Sequence, residues 1–140
     1  MSNDIKDIEN NSNVQSFLKV IKQKQLVTWF SGRPALTPLG LNDSIVPIIM
    51  WSFVDEESDI SKRMLFLIDE FKSDIGWKVE RLKYNARWRL VPLRVFELAQ
   101  AHSEYNVFDV AGILEQNEPE FGQLANQEMG KLAAYLERAL

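Results

Sequence analysis

The sequence predicts a mainly α-helical domain of about six helices, spanning residues 14–140 behind a flexible N-terminal tail over 1–13. Three observations carry that expectation. Apolar residues recur at helical spacing through Met64, Leu67, Ile68, Phe71 and Ile75. Three further apolar periodic stretches fill the C-terminal third, separated by turn and breaker residues. The chain is 140 residues long and 46% hydrophobic, enough for one domain with a real core.

Residues 1–13 are polar and acidic, with Asn, Asp and Ser dominating and only Ile5 and Ile8 as aliphatics, which reads as a tail. Asn13 is a suitable N-cap for a first helix over about 14–30, in which Val14, Phe17, Leu18 and Ile21 face inward and Lys19, Lys22 and Lys24 face out. Trp29 and Phe30 close that helix against the core. Ser31-Gly32-Arg33-Pro34 stops it, and Pro34, Pro38 and Gly40 make residues 31–43 a loop.

Asp43 or Ser44 caps a second helix over 45–54, with Pro47 in its first turn, where a missing N–H costs little. The run is apolar on nearly every side, so it belongs at the centre of the fold; a strand is the competing reading of so short a run. Ser58 or Asp59 caps a third helix. Val79 and Leu82 continue its apolar face past Gly76, extending it to about residue 84. The alternative is a break at Gly76 and a short hairpin over 77–91 turning at Asn85-Ala86. Asn-Ala is a poor hairpin turn beside Asn-Gly, and helix is preferred.

Pro92 marks the start of a helix over 91–103, followed by a turn at 103–106 and helices over 107–116 and 125–139. Together these make a three-helix array. The stretch Phe108–Leu114 followed by Asn126–Leu140 looks like a helix-turn-helix or winged-helix core. Its last helix would be the reader in a DNA groove and offers Asn126, Gln127, Lys131 and Arg138, but also Glu128 and Glu137. Such a shape reused for protein docking fits the local charge better.

Several chemistries have no support. There is no cysteine, which removes disulfides, thiolate nucleophiles and cysteine zinc sites. His102 is the only histidine; at a helix end beside Glu104 it reads as a surface or capping residue. The acidic run from Asp55 to Asp59 fails the calcium-loop pattern, because its sixth and twelfth positions are Ile60 and Phe66. Asp69, Glu70 and Asp74 read as a solvated helix face rather than a magnesium site. No glycine-rich phosphate loop precedes a Lys-Ser/Thr pair. The expectation is a protein that is not an enzyme and needs no cofactor and no metal. No signal peptide is visible and the longest apolar window, 45–54, is about half of a membrane span, so a cytoplasmic protein without membrane contact is expected.

Charge supplies the remaining pointer. The chain carries −4 overall, yet residues 77–94 hold Lys78, Arg81, Lys83, Arg87, Arg89 and Arg94 against Glu80 alone. This basic island lies between two acidic flanks, which either neutralise it within the fold or leave it for a partner. Trp77, Tyr84 and Trp88 interleave with the cations. On a helix, Arg81 would meet Trp77 and Tyr84 would meet Trp88 four residues apart, Lys78 would share a face with Arg81, and Lys83 with Arg87. Trp and Arg are enriched where proteins dock on one another; cations and aromatics also hold phosphates and stack on bases. The first reading is therefore a non-catalytic protein-binding module, an adaptor, inhibitor or assembly subunit. Its contact would be Trp77, Lys78, Arg81, Lys83, Tyr84, Arg87, Trp88 and Arg89. The alternative is a regulator gripping DNA or RNA phosphates through the same segment. The sequence does not set the oligomeric state.

Overall fold

A computed structural model describes residues 13–33, 44–83 and 85–140. In chain order these form α1 (Asn13–Gln23), β1 (Val27–Arg33), β2 (Ile48–Phe53), α2 (Asp59–Glu70), β3 (Trp77–Arg81), β4 (Trp88–Pro92), α3 (Leu93–Ala101), α4 (Val107–Asn117) and α5 (Pro119–Ala139). The mainly α, all-helical expectation is therefore corrected: five helices accompany a four-stranded antiparallel sheet of order β1-β2-β4-β3. The expected tail lies outside the described residues except for Asn13, and so does the expected loop from residue 34 onward.

Each miss has a local cause. The first helix stops at Gln23, not 30. Gln25 takes φ 56°, its N–H donates to Lys22 O, and the Leu26 N–H reaches back to Ile21 O. That is a Schellman ending built on Gln where Gly is usual. The β-branched and aromatic run after it, from Val27 to Phe30, is strand material, so Ser31–Arg33 extends β1 rather than opening a loop. The second expected helix is β2. It is a central strand between β1 and β4, and Ile48, Ile49, Trp51 and Phe53 are all buried. Its apolar run is continuous because both faces of its first half are covered, which hides the alternation of a half-exposed strand.

The third helix begins as expected, with the Ser58 side chain accepting from the Ser61 N–H, but ends at Glu70. Phe71 adopts an extended conformation and Gly76 turns the chain at φ 72°, a left-handed value that favours glycine. Residues 77–92 are then a hairpin. Trp77 pairs with Pro92, Val79 with Leu90 and Arg81 with Trp88. The loop between the strands closes on a Leu82 N–H to Arg87 O hydrogen bond of 2.7 Å. Ala86 supplies the left-handed residue at φ 52°, so the turn forms without the glycine that would have announced it.

The C-terminal third holds three helices. Pro92 precedes α3. Asn106 and Asp109 form a reciprocal capping box on α4. The last helix starts at Pro119, six residues before its expected first turn.

Strand alternation sorts the core into two clusters. One sheet face carries Ile49, Trp51, Phe53, Leu90, Val79, Trp77 and Trp88, covered by α1, α2 and α5 through residues such as Phe17, Ile21, Met64, Met129 and Leu132. The opposite face carries Ile48 and Val91, covered at that end by Val95 of α3 and by Val107, Val110 and Leu114 of α4. Helix α5 serves both, since Phe121 packs on the smaller cluster. Gly122 lies against the Ser44 carbonyl so closely that no side chain fits between them. The strands β2 and β3 both run antiparallel to β4 and are therefore parallel to each other; α2 connects them with β4 inserted in the gap, a split β-α-β unit.

Candidate functional site

A strand sends successive side chains to opposite faces, so the basic-aromatic segment does not converge as a helix would make it. Trp77, Arg81 and Trp88 project to the face covered by α1, α2 and α5. Lys78, Arg87 and Arg89 project to the other. Lys78 and Arg81 thus part company, contrary to the helical expectation. Lys83 is exposed in the hairpin loop, and Tyr84 lies outside the described residues.

Most of the cations already have neighbours. Arg81 Nε donates to Glu56 Oε1 at 3.0 Å. Arg89 donates through Nε and Nη2 to Glu80 Oε2 at 3.2 and 2.9 Å. Arg94 is paired with Glu118 through both terminal nitrogens, and this bond holds the Glu118 carboxyl below the usual carboxylate range. The ammonium of Lys78 sits 4.9 Å from the centre of the Phe96 ring on α3. Arg87 lies over the Trp29 ring at 3.9 Å, a cation–π stack, and no carboxylate among the described residues pairs with it.

That stack defines a surface. By register, Trp29, Ser31, Met50, Ser52 and Arg87 share the sheet face whose other end is covered by α3 and α4. Trp29 and Met50 are partly exposed and belong to neither core cluster. The sequence predicts Trp29 at a helix end against the core; the structure puts it on β1, partly exposed. The only local signal is the alternation of Trp29 and Ser31 against Phe30 and Gly32. A register irregularity between Val27 and Trp29 puts Val27 on the opposite face, so the alternation does not extend back to it.

On the other face, a cavity of about 230 Å³ lies between α2 and the hairpin, lined by Leu65, Ile68, Asp69, Trp77, Val79 and Trp88, with Lys78 also contributing to its wall. The indole nitrogens of Trp77 and Trp88 are buried and find no acceptor among the described residues, nor does that of Trp51 in the core.

The residues set aside for enzyme chemistry are dispersed. His102 caps the C-terminus of α3 and its Nδ1 stands 3.9 Å from Glu104 Oε1 at the surface. In the acidic run, Asp55 accepts from the Glu57 N–H, Glu56 pairs with Arg81 and Glu57 with Lys62. Among the described residues no group of three His, Asp or Glu side chains is arranged to hold a metal ion, and no helix is long and apolar enough to cross a membrane.

Compared with known proteins, the chain matches no protein family, no curated protein and no solved structure.

Proposed function

We propose that this chain is a non-catalytic binding module that docks on an acidic segment of a protein partner through the Trp29–Arg87 end of its sheet. The carrying observation is the Arg87 guanidinium stacked on Trp29 at 3.9 Å, on a part of the sheet that neither core cluster covers. A flat aromatic with an arginine already oriented on it loses little side-chain freedom when a carboxylate arrives, and such residues dominate protein interfaces. Ser31, Met50 and Ser52 beside it supply small polar and pliable apolar surface. The expected contact segment contributes unequally. Arg87 and Lys83 face outward without a carboxylate partner among the described residues, whereas Arg81 and Arg89 are held by Glu56 and Glu80.

A second reading rests on the same stack. An aromatic on an antiparallel sheet face with a cation beside it also accepts single-stranded bases. The pairing of Arg81, Arg89 and Arg94 leaves few cations for phosphates and favours the protein reading.

A photo-crosslinking residue in place of Ser31 tests the first reading in cells, with Arg87→Glu and Trp29→Ala introduced separately. The expected outcome is one protein adduct, acidic at the mapped site, that is lost in both variants. An adduct unchanged by either variant overturns the proposal. Titration with labelled single-stranded DNA and RNA at two salt concentrations is run alongside. Binding that falls steeply with salt and disappears in Arg87→Glu transfers the site to nucleic acid.

A further inference from the structure

The second surface, on the opposite side of the sheet, concerns a different class of ligand and does not depend on the docking reading. The walls of the 230 Å³ cavity between α2 and the hairpin are two indoles, Trp77 and Trp88, with the aliphatic side chains of Leu65, Ile68 and Val79. The N–H edges of both indoles are withdrawn from solvent. What the rings offer to the cavity is therefore ring carbon rather than a hydrogen-bond donor. Trp88 is fixed in place by an edge contact to Phe53, with ring centres 5.7 Å apart.

Two charged residues border the cavity. The ammonium of Lys78 is drawn to the other side of the sheet, over Phe96, so its charge is not presented here. Asp69 remains. It projects from α2, is exposed, and makes no ion pair among the described residues. A half-open pocket of indole and aliphatic carbon with one carboxylate at its edge fits a compact organic cation. It fits an anion poorly, because the Asp69 carboxylate borders it while the Lys78 ammonium lies on the other side of the sheet.

We propose that this cavity binds an alkylated ammonium group, with Trp77 and Trp88 against its methyl groups and Asp69 balancing its charge. Such a head group occurs on free small molecules and on methylated lysine side chains, and the test separates the two.

The four tryptophan indole N–H signals of the ¹⁵N-labelled protein provide the readout, assigned with Trp77→Phe and Trp88→Phe. Choline, its uncharged tert-butyl alcohol analogue, a trimethyl-lysine peptide and the unmethylated peptide are titrated to millimolar concentration. The expected result is a saturable shift of the Trp77 and Trp88 signals with choline or with the trimethylated peptide. The Trp29 signal stays in place, because it lies on the opposite face. Asp69→Asn, a solvent-exposed change that leaves the fold intact, weakens binding about fivefold. Preference for choline identifies a free small molecule, and preference for the peptide a modified partner. Shifts that do not saturate, that the uncharged analogue reproduces equally, or that Asp69→Asn leaves unchanged overturn the proposal.

Discussion

Ala86 holds φ at 52° in the hairpin loop, a region that costs a residue with a Cβ about 1–2 kcal/mol. The loop still closes, since Leu82 donates to Arg87 across it and the strands beyond are pinned by Trp77, Val79 and Leu90. Local strain here is offset by burial elsewhere. Replacing Ala86 with Gly relieves the strain at a small cost in unfolded-state entropy. The expected outcome is a gain of about 0.5–1 kcal/mol in urea denaturation, with the fold unchanged. A loss of stability would mean that the left-handed conformation is not held in solution. Gln25 shows the same device at the end of α1. Both positions explain why the sequence misled: a turn built on Gly would have been legible, whereas Gln and Ala carry no such mark.

Among the elements, helices with side-chain caps were the readable ones. Ser58 capping α2 and the start of α4 at Val107 agree with the periodic pattern, because a helix face and its cap lie within a few neighbouring residues. The strands are legible only as the second choice, β2 as the competing reading of 45–54 and β3–β4 as the alternative hairpin over 77–91, and β1 is not read at all. Only the first half of β2 is covered on both sides, which hides its alternation, and β3 continues the helical spacing of α2 by coincidence through Val79. The candidate surface was harder still. Trp29 and Arg87 come together only through two strand pairings, β1 with β2 and β2 with β4, and no local pattern encodes that.

Coupling between elements is visible where Arg94 of α3 holds Glu118, the residue between α4 and α5. The hydrogen bond from Arg94 is the main cause that lowers the Glu118 carboxyl, with its charge acting the same way and desolvation opposing. A carboxyl depressed in the folded state stabilises above its unfolded value, and the contribution disappears as pH falls through the folded value. The stability difference between the wild type and Arg94→Gln is therefore present at neutral pH and closes in acid, a trend that thermal melts across a pH series would check. A difference that stays constant into acid would assign the effect of Arg94 to packing on Phe121, 5.3 Å from its guanidinium.

For the molecule as a whole, the charge gradient along the chain folds back on itself. The basic island meets the preceding acidic flank at Arg81–Glu56 and the following one at Arg94–Glu118, and Arg89 meets Glu80 within the island. The Arg81–Glu56 and Arg94–Glu118 pairs are largely solvated and contribute little, so the two apolar clusters carry the fold. Arg33 and Glu115 join those halves, since Arg33 donates to both the Val46 carbonyl and the Glu115 carboxylate, tying the end of β1 to α4. Amide exchange is expected to be slowest at Ile49, Trp51, Leu90 and Leu132, where burial is complete, and fastest in the hairpin loop. Fast exchange in β2 would show that the sheet is not the stable centre described.

The placement of α5 has a consequence during synthesis. Asn13 at the start of α1 lies against Gly130 of α5, and Lys24 reaches the Leu140 carbonyl. The larger cluster is sealed only when Met129, Leu132 and Leu136 arrive. A nascent chain from which α5 has not yet emerged therefore has one wall of that core missing, and Phe17, Ile21 and Trp51 lack the cover of Met129, Leu132 and Leu136 until the helix leaves the exit tunnel.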